Sequence, residues 1–180
     1  MRKALFILGQ LNDSDVEWLA RRGERRRLAD AEVIVKEGVP VDALFITVAG
    51  QLRVTLRNGQ EVARLNVGEV VGEIAFVDSS PPSATVAAMG ESVVLALPKA
   101  VLQQRLADDM PFAARFYRAL AIFLADRLRT TTRRLGYGAA GGPGSEATAE
   151  DELDLGVLDT FAQAGERFTR LLRTLAAAPG

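Results

Sequence analysis

The sequence predicts a mainly β fold with flanking helices: a small barrel, then a long helix and one further docking helix. Three observations carry this reading. Between residues 32 and 97, short runs rich in β-branched residues are separated by turn signals about every eight to twelve residues, as all-β barrels show. Leu52, Val54 and Leu56 alternate with Arg53, Thr55 and Arg57, giving one buried and one wet face. After Pro98 the apolar period lengthens to helical spacing.

Taken in order, Met1–Gly9 pairs a basic end with an apolar stretch too short for a signal sequence, and acidic residues follow soon after, so it reads as packed structure. Asn12-Asp13-Ser14-Asp15 supplies a cap and first-turn carboxylates for a helix from about Asp13 to Arg22, ending near Gly23. Arg25-Arg26-Arg27 reads as a solvated strand edge, with an anion site as the alternative. Val33–Val35, Leu44–Val48 and Val93–Leu97 are candidate strands, and Asn58-Gly59 is a hairpin turn. A short helix is expected from Pro98-Lys99-Ala100 to about Ala107, and Pro111 opens the long one. There Phe112, Phe116, Leu120, Phe123, Leu124, Leu128 and Leu135 follow one helical row and Ala113, Tyr117 and Ala121 a second, which suggests contacts with both the barrel and a partner, including a homodimer. Gly136 and the Gly/Ala/Pro run from Gly138 to Ser145 end that helix. Val157, Phe161, Ala164, Phe168, Leu171 and Leu175 then recur in steps of four and three, the seam of a coiled coil or of a helix packed on its own barrel. The division is therefore a domain over 1–138, a linker over 139–149 and an amphipathic docking helix over 150–180.

A chain of 180 residues, 48% hydrophobic and 25% charged, holds one core plus an appendage. Its 22 basic and 23 acidic residues leave a formal net charge of −1, so no global field recommends a nucleic acid or an anionic membrane. With no Cys and no His, disulfide frameworks, zinc fingers, Cys nucleophiles and Ser-His triads are excluded. Asp108-Asp109 and Asp151-Glu152 sit at helix edges where solvation accounts for them, and nothing supplies a nucleophile with an orienting base. The chain is thus expected to be no enzyme, to use no cofactor or metal and, lacking a run of roughly 18 apolar residues, to be cytoplasmic.

The informative stretch runs from Gly68 to Ala88. Its glycines permit a tight turn, and a following single-turn helix aims free amides at an anion, although a bulge between two strands would need the same glycines. Val71-Gly72-Glu73-Ile74-Ala75-Phe76, followed by Pro81-Pro82-Ser83-Ala84-Thr85-Val86, resembles the phosphate-binding cassette of the cyclic-nucleotide-binding family. Glu37-Gly38, Leu44-Phe45-Ile46 and Ala49-Gly50 match the family's earlier strands, and the likeness covers roughly residues 10 to 136. The resemblance implies a jelly-roll barrel flanked by helices, with a cyclic nucleotide held in the barrel and the last helix responding to it.

Carried onto this chain, Gly72, Glu73, Ile74, Ala75, Ser83, Ala84 and Thr85 form the cassette. Glu73 would accept the ribose 2′-hydroxyl, while Ser83 and the amides of Ala75 and Ala84 would face the phosphate. The family's phosphate-pairing Arg falls on Pro82. Hydrogen bonds to charged groups contribute roughly 1.5–3 kcal/mol, so its loss implies at least about a tenfold weaker grip. In the bacterial transcription-factor branch, hydroxyl residues near the end of the long helix touch the purine, and Thr131 and Thr132 resemble them; capping or solvation of the helix end is the alternative. Arg2, Lys3, Arg115, Arg118, Arg127, Arg129, Arg133 and Arg134 would suit two guanines and two phosphates. The chain is similar to stand-alone bacterial members that are receptors for cyclic di-GMP, lack the cassette Arg and signal through protein partners. That places cyclic di-GMP slightly ahead of cyclic AMP or GMP, with a transcription regulator as partner. The other reading is a ligand-free interaction or dimerisation module. About 40 residues follow Gly138 and offer one helix rather than a recognition pair, so direct DNA binding is not expected.

Overall fold

The apolar run Ala43-Leu44-Phe45-Ile46 conceals two faces, and the architecture follows from it. A computed structural model describes residues 4–78, 80–139 and 155–177. Helices α1 (Ala4–Gln10) and α2 (Asp13–Arg22) precede strands β1 (Glu24–Leu28), β2 (Val33–Val35), β3 (Ala43–Thr55), β4 (Glu61–Leu65) and β5 (Val70–Val71). A 3₁₀ turn (Glu73–Phe76), β6 (Thr85–Pro98), α3 (Lys99–Asp108), α4 (Met110–Ala139) and α5 (Leu155–Ala177) follow. The strands run in the order β1-β6-β3-β4, with β2 added to β6 and β5 to β3. Every pairing is antiparallel.

On β3, Ala43 and Phe45 point into the barrel with Leu28, Leu52, Val86, Val94 and Ala96. Leu44 and Ile46 point the other way and join Leu95, Leu97 and the helices. One period-two alternation thus builds both cores. The two long strands bend together where their register shifts, between Thr47 and Gln51. There the buried Ser92 hydroxyl accepts from the Gln51 amide (3.2 Å) and donates to the Gln51 carbonyl (3.0 Å), replacing ladder bonds that the bulge removes.

The Asn58-Gly59 turn lies where expected, with Gly59 at φ 83° and its amide on the Leu56 carbonyl (2.8 Å). The alternation leading into it fades, however: Leu52 is fully buried but Leu56 is exposed, because the hairpin tip projects past the barrel interior.

Asn12 caps α2 in a reciprocal box, its side chain accepting from the Asp15 amide (2.8 Å) and the Asp15 carboxylate from the Asn12 amide (3.0 Å). Asp109 caps α4 in one direction, accepting from the Phe112 amide; that bond, then Arg105 beside it, holds its carboxyl below the usual range. The residues before Asn12, read as packed structure, form α1, whose Ile7 and Leu8 sit in the helical core.

On α4 the rows divide differently from the expectation. Phe112, Phe116, Leu120 and Phe123 of the first row are buried and Ala113 of the second joins them, but Leu128 of the first row is 68% exposed. At 3.6 residues per turn, sixteen residues past Phe112 brings Leu128 nearly to the opposite side. Met110, Ala114, Tyr117, Ala121, Leu124 and Leu128 then form one outward stripe in steps of four and three, with only Leu124 partly covered. Gly136 and Gly138 do not stop the helix, which runs to Ala139.

The seam on α5 is used within the chain. Ala164, Phe168 and Leu171 are buried in the core that holds Ile7, Leu8 and Leu11; the side chains of Val157, Phe161 and Leu175 lie outside the described residues. Arg167 donates to the Leu8 and Gly9 carbonyls that end α1 (3.1 and 3.3 Å) and, with Arg170, clamps Asp13 (2.9 and 2.8 Å). The expected linker, from residue 140 onward, also lies outside the described residues. No described helix is long and apolar enough to cross a membrane.

Candidate functional site

Gly72 makes the cassette turn possible. It stands at φ 87°, and a Cβ there would lie 2.5 Å from the Ala43 carbonyl oxygen of β3, so both conformation and space require glycine. Immediately after it, the 3₁₀ turn carries Glu73, Ile74, Ala75 and Phe76. Glu73 is 2% exposed, whereas Ile74 faces outward.

Contacts from both Phe76 and Glu73 seat this turn on α4. The Phe76 ring meets Phe116 edge-on at 5.9 Å, and Arg127 donates through Nη1 to Glu73 Oε1 at 2.5 Å. The Lys99 ammonium lies 5.9 Å from the Phe76 ring centre, so a second cation borders the turn. By sequence alone Arg127 is one of several arginines on the long helix, with nothing to connect it to Glu73. The available signal was its position one turn before Thr131 on the same helix.

The second half of the cassette is fixed by the β2–β3 loop. Gly38 donates its amide to the Pro82 carbonyl (2.9 Å), and Glu37 donates its amide to Thr85 Oγ1 (3.1 Å). The same loop reaches the first half, where Val41 lies beneath Gly72. Thr85 is therefore a structural tie, while the Ser83 hydroxyl is exposed and without a partner among the described residues, and Ala84 is half-buried beside it. Pro82 brings no cation. A groove of about 440 Å³ is lined by β2 and this loop, among others by Val33, Lys36, Val39 and Asp42, and not by a cassette residue.

The remaining candidates are dispersed. Thr132 lies exposed on α4; Arg2 and the side chain of Thr131 fall outside the described residues. Arg115 is committed elsewhere: its guanidinium donates twice to the fully buried Asp15 (2.7 and 3.0 Å), which raises its own pKa. It stands twelve residues, about 18 Å of helix, from Arg127 and takes no part in the grouping around Glu73. Arg118 is exposed, nine residues from Arg127. Arg105, beside Asp15, is stacked between Trp18 and Phe112 (4.9 and 4.8 Å), so this whole network ties α2, α3 and α4 together. No cluster of metal-ligating side chains occurs among the described residues.

Known proteins agree with this geometry. The family model described as "Cyclic nucleotide-binding domain" matches residues 25–109. A cyclic nucleotide-binding domain from Methylobacillus flagellatus KT superposes with a TM-score of 0.67 at 22% identity, covering 79% of this chain and 85% of that one. The N-terminal domain of a transcriptional regulator from Streptomyces coelicolor A3(2) does so at 0.55 with 30% identity, covering 67% and 86%. Among curated proteins, a cAMP-dependent protein kinase regulatory subunit from Blastocladiella emersonii is 28% identical over 118 residues, 63% of this chain and 29% of that one. The chain spans less than a third of the length of the curated relatives it matches. An antiparallel barrel flanked by helices, a left-handed glycine launching a buried glutamate on a 3₁₀ turn, and these matches lead to one conclusion: the chain belongs to the cyclic nucleotide-binding domain family.

Proposed function

We propose that this chain is a non-catalytic cytoplasmic receptor that holds a cyclic nucleotide against the Gly72–Phe76 turn and passes its occupancy to α4. The observation that carries this reading is the buried Glu73, presented by a turn only glycine can open and joined directly to Arg127 of the long helix. Glu73 accepts a ribose hydroxyl, and Ser83 with the amides of Ala75 and Ala84 receives the phosphate. Arg127 supplies near the turn the guanidinium that Pro82 withholds, and Thr131 and Thr132, four and five residues further along α4, meet the base. Binding that reshapes the Glu73–Arg127 contact moves α4, and the outward apolar stripe of that helix receives a second copy.

A mononucleotide fits this grouping best. Curated relatives at 28% and 29% identity are named as cAMP-dependent and cGMP-dependent kinase proteins. Cyclic di-GMP is the second reading: Arg118 and Arg129 are exposed on α4 with no carboxylate partner among the described residues, although Arg115, on which a dinucleotide also relied, is held by Asp15. Titration calorimetry with cyclic AMP, cyclic GMP and cyclic di-GMP, beside thermal unfolding, tests the proposal. A bound ligand at about 100 times its Kd adds about 2.7 kcal/mol of stability. Absence of heat and of stabilisation for all three at millimolar concentration would leave a ligand-free interaction module.

A further inference from the structure

Five arginines fall within Arg21–Arg27, and the fold sorts them. Arg26 turns toward the barrel side with Leu28 and approaches Glu32 at 3.5 Å, while Arg21 lies 3.7 Å from Glu17. Arg25 and Arg27 alternate to the opposite face, in register with Leu95 and Val93 of β6; both are exposed, as is Arg22 at the end of α2. None of these three has a carboxylate partner among the described residues. Other arginines of the chain do find one, at Glu73, Asp15, Asp13 and Glu61. Glu24, the one acid in the stretch, lies with Arg26 on the other face of the strand.

A second observation concerns the backbone. β1 ends the strand order and, among the described residues, pairs only with β6, so the amides and carbonyls that alternate to its outer side along Glu24–Leu28 have no partner strand there. Two copies joined edge to edge would oppose like charges, so the arginines disfavour self-pairing while leaving the edge available to a strand of opposite charge. Residues two apart on a strand are about 6.7 Å apart and share a face, so carboxylates at alternate positions of an added strand match the spacing of Arg25 and Arg27. An added strand also satisfies the open backbone groups, which a polyanion without peptide bonds does not.

We propose that the outer edge of β1 docks an acidic, extended segment of a partner protein, which adds as a strand and sets alternate carboxylates against Arg25 and Arg27. This surface is independent of the nucleotide site. The test is fluorescence anisotropy of the full chain with a labelled peptide of alternating Glu and Val. Saturable binding is expected, weakened about tenfold or more by the Arg25→Glu/Arg27→Glu pair and by N-methylation of alternate peptide amides, and unchanged by Arg173→Glu on α5. If the reversed pair fails to fold by circular dichroism, Arg25→Gln/Arg27→Gln gives the same comparison. The proposal is overturned by no binding of the acidic peptide, by binding insensitive to either arginine pair, or by equal binding of the N-methylated peptide. A single-stranded oligonucleotide that binds as tightly as the peptide overturns it too, since the edge then acts as a charge patch alone.

Discussion

Replacing Gly72 by Ala perturbs the turn through two separable effects. The left-handed conformation at φ 87° disfavours any L side chain by about 1–2 kcal/mol. The new methyl would also stand 2.5 Å from the Ala43 carbonyl oxygen, and that carbonyl belongs to a residue paired with Pro98 in the central ladder, so it has little room to retreat. Displacing packed backbone adds about 1–3 kcal/mol. The sum, about 2–5 kcal/mol, corresponds to a fall in Tm on the order of 4–20 °C for a chain of this size. Gly38→Ala is the matched control: its φ is 76°, but nothing lies within 4 Å of the added Cβ, so it shows the conformational part alone. Both variants are compared by circular dichroism melting and by nucleotide titration. A Gly72→Ala melt indistinguishable from that of Gly38→Ala would refute the claim that close approach to β3 fixes the turn.

Three further outcomes are expected. Arg127→Ala and Glu73→Gln should each weaken nucleotide binding by about tenfold, with the double variant losing clearly less than the product, as calorimetry will show; independent losses would mean the two residues do not act as a unit. Asp13 is held below the usual carboxylate range, first by the Arg167 hydrogen bond and also by Arg170, so its stabilising effect is complete above about pH 4 and is lost as pH falls through the lowered value. Melting of wild type and Asp13→Asn should therefore differ near neutrality and converge in acid; a gap constant down to pH 2 contradicts the clamp. Leu128→Glu should yield monomers in sedimentation velocity while changing the monomer's stability by no more than about 0.5 kcal/mol, since the residue is exposed; equal masses for both proteins would remove the stripe as a self-association surface.

What could be read in advance follows from the range of each interaction. The α2 cap, the Asn58-Gly59 turn, the start of α3 and the Gly72-Glu73 turn are local, written in adjacent residues. The partition of Leu44 and Ile46 from Ala43 and Phe45 was hidden because a strand buried on both faces shows an unbroken apolar run. Arg115 looked like a ligand residue until the fold brought Asp15, a hundred positions earlier, against it. The Glu73–Arg127 contact spans 54 positions, and no periodicity encodes it. Step counting sets Leu128 in the row of Phe112, but small errors in helical phase accumulate over several turns and carry it to the outward side. The α5 seam was legible as a seam, but not the choice of its own α1 over a partner, which rests on Arg167 reaching the α1 carbonyls.

Hydrogen exchange read by mass spectrometry, with and without saturating cyclic nucleotide, addresses the central claim most directly. Slowed exchange should concentrate in residues 72–77 and 83–86, and in the α4 segment around Arg127. Protection confined to other elements, with these amides exchanging as in the free protein, would contradict a nucleotide site built on the Gly72–Phe76 turn.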